Sequence, residues 1–177
     1  MKIQVVPVGL IDSTILEYLV NLVSERLEIK VEVGENLPIE AFRRNEARGQ
    51  YLSTSILRIL SMQKEPSEDV LLAVADVDLY VNSLNFVFGE ADPTNRAAVI
   101  SVIRLRQSFY GLRNNSKLFL KRTGKEAIHE LGHVLGLRHC LNPRCVMFFS
   151  NSLADTDRKE DDFCKKCRNS LRGQRRD

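Results

Sequence analysis

The sequence contains no apolar run that is long enough to cross a membrane. The longest such run near its start, residues 5–11, is far shorter than the roughly 20 residues that a spanning helix needs. Asp12, Ser13 and Thr14 then interrupt the run, so it lacks the composition of a signal peptide. We therefore expect a cytoplasmic protein with no membrane partner.

The sequence also has little excess charge of either sign. With 26 Lys and Arg against 23 Asp and Glu, the net charge is +3, which is too small to indicate a nucleic-acid partner by itself. Much of this excess lies in the last ten residues, which we expect to form a solvated, frayed tail. The arginines of this tail are Arg168, Arg172, Arg175 and Arg176.

Cysteine is absent before position 140, and internal repeats, low-complexity tracts and long linkers are absent throughout. All four cysteines fall in the final quarter of the chain. In a reducing compartment, clustered thiols indicate metal binding more than disulfide bonds. A length of 177 residues suits a single domain with its own hydrophobic core. We therefore expect residues 1–177 to fold as one domain.

Strand-like and helix-like segments alternate along the first part of the chain. The runs KIQVVPV, EIKVEV and VLLAVA predict strands at residues 2–8, 28–33 and 70–75. Apolar residues at helical spacing predict helices at residues 13–27 and 50–60. VLLAVA is continuously apolar, as expected of a parallel strand that is covered on both faces. This alternation predicts an α/β fold with a twisted, mostly parallel sheet.

Two further strand-like runs lie close together. LNFVFG (residues 84–89) and AAVISVIRL (residues 97–105) are separated by the turn-rich EADPTN (residues 90–95). Because the connection is so short, one of the two is expected to be an antiparallel edge strand of the sheet.

A long amphipathic helix is predicted for residues 116–137. The residues of its buried face are Leu120, Ala127, Ile128, Leu131, Val134 and Leu135. Beyond Gly136 the pattern changes to short, polar segments that carry the cysteines. We therefore divide the domain into an N-terminal lobe, 1–136, with the sheet and the long helix, and a small Cys-rich C-terminal lobe, 137–177.

All three histidines fall within one short stretch, HELGHVLGLRH. His129 and His133 lie one helical turn apart on one face, so both can bind one small cation at about 2.0–2.1 Å. Gly136 stands where a helix ends in the left-handed conformation, after which the chain can deliver His139 as a third ligand. Glu130 is on the same side but offset, the placement of a general base. The alternative is three histidines on an ordinary core helix and its cap.

Three protein ligands leave a fourth position for water, which distinguishes a catalytic zinc site from a structural one. Zinc lowers the pKa of its water from about 15.7 toward 7 and polarises a substrate carbonyl. Glu130 would take the proton of that water and pass it to the leaving amine. The pattern therefore predicts a hydrolytic zinc site.

The cysteines form two pairs, C-x4-C and, eighteen residues later, C-x2-C. This layout suits a closed, structural zinc site with four thiolate ligands. Its ligands would be Cys140, Cys145, Cys164 and Cys167. The first adjoins His139, so this zinc would pin the backbone that carries a ligand of the other. We expect two zinc ions per chain; two disulfides or four free thiols are the alternatives. The intervening NSLADTDRKEDDF is expected to be a solvated loop.

HELGHVLGLRH, followed eight residues on by Met147, resembles the metzincin clan of zinc peptidases. The cysteines make the chain similar to one family of that clan, the archaemetzincins. The pattern of this family is HExxHxxGxxH-C-x4-C-x-M with a later C-x2-C, and it is reproduced over residues 126–167. The resemblance implies a metzincin-like sheet, His129, His133 and His139 on a catalytic zinc, and Glu130 as the base.

The same resemblance implies a Met-turn at Met147, whose thioether packs beneath the zinc ligands without binding the metal. Astacin-like metzincins have a tyrosine two residues later, where this chain has Phe149, so we expect no tyrosine ligand. By analogy with the clan, an extended peptide pairs with the antiparallel edge strand above the cleft, for which we choose residues 84–89. A plain edge strand without a ligand is the alternative.

The leading interpretation is a zinc-dependent metallopeptidase that acts as a monomer on a peptide or a small protein. A non-catalytic zinc-binding module is a second hypothesis, in which the Cys-rich lobe and the basic tail contact a partner or a nucleic acid and the histidine site is a relic. An intact Glu130 argues against this module, because a relic site has no need of a base. A hydrolase of small amides is a third hypothesis that uses the same zinc chemistry.

Overall fold

The computed structural model of the chain describes residues 1–63 and 69–174, so Arg175 and Arg176 lie outside the described residues. The strands within these ranges are β1 Ile3–Val8, β2 Val31–Val33, β3 Arg44–Asn45, β4 Gln50–Leu52, β5 Val70–Ala75, β6 Leu79–Val81, β7 Leu84–Val87, β8 Gly89–Asp92 and β9 Ala97–Ser101. The α-helices are α1 Ser13–Leu27, α2 Ser53–Gln63, α3 Ser116–Val134, α4 Leu153–Arg158 and α5 Lys165–Gln174.

The main sheet has the strand order β2-β1-β5-β9-β8. β1 is parallel to both β2 and β5, and β5 is parallel to β9, whereas β8 pairs antiparallel with β9 at the edge. Every residue of the central strand β5 is buried, because both faces of the sheet are covered. The predicted α/β fold, with a mostly parallel sheet and an antiparallel edge strand, is confirmed.

The antiparallel edge strand lies later in the chain than predicted. We expected it at residues 84–89, with residues 90–95 forming a turn, but β8 begins only at Gly89. The sequence GEAD has low strand propensity, and its pairing is set by tertiary contacts. The Glu90 carboxylate, for example, accepts hydrogen bonds from the Ser53 hydroxyl at 2.5 Å and the Thr54 hydroxyl at 3.0 Å, at the start of α2.

The segment Leu84–Val87 belongs instead to a second, smaller sheet with the order β3-β4-β6-β7. β4 and β6 are parallel, while the outer pairs are antiparallel. Its strands are only two to four residues long, too short for alternation to be visible in the sequence. The helix predicted for residues 50–60 therefore included Gln50–Leu52, which form β4. The helix itself begins only at Ser53.

Helices cover both faces of the main sheet. α1 and α3 pack together on one face, where Gly124 permits their close approach: a Cβ there would lie 3.1 Å from Cε1 of Tyr18. α2 covers the other face with Ile56, Leu57 and Leu60. The apolar stripe that predicted α1 is buried as expected, and the Asp12 carboxylate accepts the Thr14 backbone N–H at 2.8 Å. The long helix α3 lies against the core from Arg122 onward, where nearly all of its residues are buried.

The segment that follows α3 packs back onto the same core. Its buried apolar residues are Leu137, Cys145, Val146, Met147, Phe163, Cys167 and Leu171. NSLADTDRKEDDF is not the solvated loop that we expected, since it contains α4 and Lys159 is fully buried. Arg168 and Arg172 likewise lie on α5 rather than in a frayed tail, and Arg168 forms an ion pair with Asp162.

Three other boundaries differ from the prediction. The long helix predicted for residues 116–137 ends at Val134, because the chain turns at Gly136. The strand predicted at residues 28–33 is limited to Val31–Val33, because Glu28 is left-handed (φ 53°) at the end of α1. The strand predicted at residues 97–105 ends at Ser101 and is followed by a 3-10 turn at Ile103–Leu105. Among the described residues, no helix combines the length and apolar composition needed to cross a bilayer. The division into lobes 1–136 and 137–177 stays a prediction.

Candidate active site

Helix α3 carries the first two histidines and ends in a glycine-terminated turn. Its start is capped by the Asn115 side chain, which accepts the Leu118 backbone N–H at 3.0 Å. At its end Gly136 has φ 88°, and its N–H donates to the His133 carbonyl at 2.9 Å. The Leu137 N–H donates back to the Gly132 carbonyl at 2.9 Å, completing a Schellman motif that turns the chain toward His139.

The three imidazoles converge on one point. His129 Nδ1 lies 2.8 Å from the Val146 carbonyl oxygen, and His133 Nδ1 lies 2.8 Å from that of Leu137. Because a carbonyl can only accept, each Nδ1 must carry its proton and each Nε2 presents a lone pair. The two Nε2 atoms lie 3.2 Å apart, and one nitrogen of each of the three histidines lies within 4.8 Å of the others.

This arrangement fits a small divalent cation. Two bare lone pairs 3.2 Å apart repel each other unless a cation lies between them. Ligands at about 2.0–2.1 Å from a tetrahedral zinc ion would themselves be about 3.3 Å apart. Burial lowers the pKa of His129 well below its usual value and also lowers that of His133 and His139, so all three favour the neutral form that binds metal.

Glu130 lies beside the histidines in a buried position, with only 7% of its surface exposed. Burial, with a smaller contribution from the negative charges of Glu126 and Glu90, raises the pKa of this carboxyl group to about 8, although the Lys159 ammonium opposes the rise. Gly89 makes room for it, because a Cβ at that position would lie 2.6 Å from Cγ of Glu130. The start of β8 therefore packs against the Glu130 side chain more closely than a residue with a Cβ would permit.

Met147 is fully buried beneath the histidine-bearing helix. A Cβ at Gly132 would overlap its Sδ and lie 3.1 Å from its Cε, so the thioether packs directly on the α3 backbone between the two histidines. The Met147 carbonyl accepts the Cys140 N–H at 2.9 Å, and the neighbouring Val146 carbonyl holds His129. One short segment thus contacts both the histidine cluster and the cysteine cluster.

Replacing Gly132 with alanine is expected to destabilise the protein, because Met147 must move from beneath the ligands. Overpacking of this kind costs about 1–3 kcal/mol, which exceeds the gain of roughly 1 kcal/mol in helix propensity. Urea unfolding measures the difference. Gly173→Ala is the matched control, since nothing lies within 4 Å of a Cβ there and the same change should stabilise α5. Equal effects at both sites would contradict the packing argument.

The four cysteine sulfurs form a second cluster within 4.8 Å of one another. All four thiols are free, and the Cys140 and Cys164 sulfurs lie 3.8 Å apart. Burial raises the pKa of Cys145, whereas at Cys164 burial is outweighed by hydrogen bonds from the Cys167 N–H and the other thiols, which lower its pKa to about 7. Four sulfurs at this separation suit a tetrahedral zinc ion.

An open cleft of about 400 Å³ leads to the histidines. Its upper wall is formed by β7 and the start of β8, and its floor by α3. Phe149, Ser150 and Asn151 form the opposite wall, where the Phe149 ring packs against the His139 ring with centroids 5.0 Å apart. Both the histidine cluster and Glu130 are therefore accessible to a molecule in this cleft.

The sequence motifs predicted the histidines, the cysteines and Met147 as site residues. They did not identify the residues that support this site. Gly132 and Gly89 were not singled out, although a glycine within a helix usually has a packing reason, which was an available signal at Gly132. No sequence pattern predicts that Lys159 is buried, because lysine is rarely buried and Lys159 lies in a strongly polar run.

Three converging neutral imidazoles beside a buried carboxyl group, in an open cleft, define a metal-dependent hydrolase. The chain belongs to peptidase family M54, whose sequence profile matches residues 10–173. The predicted class, a zinc metallopeptidase, and the resemblance to archaemetzincins are thereby confirmed.

Several relatives are similar to this chain over nearly all of its length. The archaemetzincin of Methanocaldococcus jannaschii is 46% identical, and the aligned region covers 97% of this chain and 93% of that protein. The archaemetzincin of Pyrococcus furiosus is 44% identical, covering 96% of this chain and 91% of the relative.

Solved structures share the fold. The crystal structure of archaemetzincin from Archaeoglobus fulgidus, complexed with malonate, superposes with a TM-score of 0.80 at 40% identity, covering 96% of this chain and 99% of the other. A zinc-dependent peptidase from Methanocorpusculum labreanum superposes with a TM-score of 0.85 at 29% identity, covering 96% and 99%. The metzincin-like fold expected from the motif is therefore confirmed.

Proposed function

We propose that this chain hydrolyses peptide bonds at the histidine cluster, with His129, His133 and His139 holding a catalytic zinc and Glu130 acting as general base. The observation that carries the proposal is the pair of bare Nε2 lone pairs 3.2 Å apart beside a buried carboxyl group. Zinc, when bound there, supplies a Lewis acid for the peptide carbonyl and lowers the pKa of water.

The chain's own residues orient the histidine rings and protonate the leaving amine. The Val146 and Leu137 carbonyls fix the rings of His129 and His133 through their Nδ1 protons. In its ionised form, which the positive charge of a bound zinc would favour, the Glu130 carboxylate takes a proton from the attacking water and delivers it to the nitrogen of the leaving amine. Phe149 offers no hydroxyl at the place of the astacin tyrosine, so its ring shapes the cleft without assisting the zinc.

We further propose that Cys140, Cys145, Cys164 and Cys167 hold a second, structural zinc, giving two per chain. The cluster is closed, with Cys145 and Cys167 buried, as a structural site requires. Gly136 serves to turn the chain toward His139, and Met147 supports the histidines from below. The closeness of the two clusters along the chain suggests that the structural zinc steadies the turn that carries the third histidine.

An extended peptide is proposed to pair with residues 84–89, because this segment lines the cleft above the histidines. A peptide or small protein is therefore the substrate class, and neither a nucleic acid nor a membrane is part of the proposal. We also propose a monomer of two lobes in the cytoplasm, where the four free thiols would stay reduced.

Incubating the zinc-loaded protein with a mixed peptide library, and identifying products by mass spectrometry, tests this function. We expect cleavage that stops when 1,10-phenanthroline removes the metal and returns when zinc is restored. His133→Ala, which removes one ligand, should cleave nothing. Equal cleavage by that variant would mean a contaminating protease, and hydrolysis confined to small amides would favour the third hypothesis over the first.

A further inference from the structure

A buried charged cluster lies under the floor of the cleft and has no part in the proposed mechanism. It consists of Glu126 on α3, Thr156 on α4 and Lys159 just beyond α4. The side chain of Lys159 is 0% exposed and that of Glu126 is 3% exposed. Lysine is almost never fully buried unless it is paired, so the position of this cluster needs a reason.

The cluster orients the Glu126 carboxylate from one side. The Thr156 hydroxyl donates to Oε1 of Glu126 at 3.1 Å, and Nζ of Lys159 lies 3.1 Å from the same oxygen. The lysine contact lacks hydrogen-bond geometry, so it is an ion pair only. Glu126 also lines the cleft. Both partners engage Oε1, so Oε2 accepts no hydrogen bond from the described residues and retains its capacity to accept one from a molecule in the cleft.

Attachment of α4 to α3 does not by itself explain the cluster. The two helices are already joined by Arg122, which forms two hydrogen bonds of 2.7 Å with the Asp157 carboxylate. Lys125 adds hydrogen bonds to the carbonyls of Thr156 and Asp157 at 3.0 and 3.1 Å. These contacts lie away from the cleft, whereas Glu126 stands one helical turn before Glu130 and on the same face.

The cleft offers several carboxyl groups that can accept hydrogen bonds. Its lining includes the carboxyl groups of Glu90, Glu126 and Glu130, and no lysine or arginine is among the described residues that line it. The described residues give Glu130 no hydrogen-bond or ion-pair partner. The buried hydroxyl of Ser150, on the opposite wall, is also without a hydrogen-bond partner in the described part of the chain. An ammonium or guanidinium group brings several donors to such acceptors.

We propose that Glu126 is a specificity-determining residue whose Oε2 accepts a hydrogen bond from a lysine or arginine side chain of the substrate, close to the scissile bond. Thr156 and Lys159 are positioning residues that hold the carboxylate through Oε1. This assignment of substrate class rests on the proposed peptidase function.

Peptide binding to the zinc-loaded Glu130→Gln variant, measured by calorimetry, tests the proposal without turnover. The probes are peptide pairs that differ only in lysine or norleucine at one position, moved along the peptide. At one position the lysine peptide is expected to bind about 10-fold to 100-fold more tightly, as a charge-assisted hydrogen bond provides. Adding Glu126→Gln with Lys159→Met removes both buried charges together, and should abolish this preference while norleucine peptides bind as before.

Glu160→Gln is the matched control, since this carboxylate is exposed and pairs with Arg144 at 2.7 Å, and it should leave the preference intact. The proposal is overturned if lysine confers no advantage at any position, or if the advantage survives in the doubly neutral variant. Cleavage by the wild-type protein is measured in parallel. Peptides cleaved without basic preference overturn this inference alone, whereas absence of all cleavage overturns the peptidase function and the substrate class together.

Discussion

Replacing Glu130 with glutamine is expected to lower kcat/KM for peptide cleavage by about 10²-fold to 10⁴-fold, the contribution typical of a general base. Glutamine keeps the size of the side chain against Gly89 but cannot accept the proton of the attacking water. Because Glu130 is offset from the three histidines, we expect the zinc content to stay unchanged. Steady-state kinetics on a cleaved peptide, with zinc determined on the same sample, measures both quantities.

The control for this variant is Glu160→Gln, the same chemical change at an exposed carboxylate outside the cleft. It should leave kcat/KM as it is. Full activity in Glu130→Gln would mean that another group takes the proton, or that the observed activity belongs to a contaminant. A loss of zinc in this variant would mean instead that Glu130 supports the metal rather than the water.

Replacing Lys159 with methionine is expected to lower the free energy of unfolding by about 3–5 kcal/mol, because it leaves the Glu126 carboxylate buried without its counter-ion. Lys159 is fully buried 3.1 Å from that carboxylate, so water cannot replace the lost ammonium. Adding Glu126→Gln should recover much of the loss, since the pair is then neutral. Urea denaturation of the single and double variants gives both values.

Lys117→Met provides the comparison, because Lys117 is exposed on α3 and its loss should change stability by no more than about 0.5 kcal/mol. If Lys159→Met changed the free energy of unfolding as little as Lys117→Met, the ion pair would contribute nothing to stability. If the double variant were no more stable than the single one, the loss would come from packing of the lysine stem rather than from the unpaired charge.

The site was accessible from the sequence because its ligands are close along the chain. His129 and His133 are joined by one helical turn, and Gly136 must allow the turn that brings His139 back. Local geometry of this kind depends little on the rest of the fold. The cysteine pairs could also be predicted from the sequence, since the first pair directly follows the last histidine.

What the sequence could not provide depends on contacts between distant segments. The edge strand β8 reads GEAD, with little strand propensity, and is stabilised by pairing with β9 and by hydroxyls of α2. Lys159 lies in a run of charged residues whose pattern is that of a solvated loop, yet Glu126, 33 positions earlier, provides its counter-ion. Propensity and periodicity carry no information about such pairings.

The histidine cluster and the cysteine cluster share the segment that ends in Met147. The Val146 carbonyl orients His129, while the adjacent Cys145 sulfur accepts the Cys164 N–H at 3.3 Å. A disturbance of the cysteine cluster would therefore move the support of the catalytic histidines. The proposed function depends most on the claim that each of the two clusters binds its own zinc ion.

Zinc per chain in the wild type and in His133→Ala, both purified under reducing conditions and measured by mass spectrometry of the metal, tests that claim most directly. We predict two zinc ions in the wild type and one in the variant, since the cysteine cluster keeps its metal when the histidine cluster loses a ligand. A value of one in both proteins would contradict it, because the histidine cluster would then hold no zinc to lose.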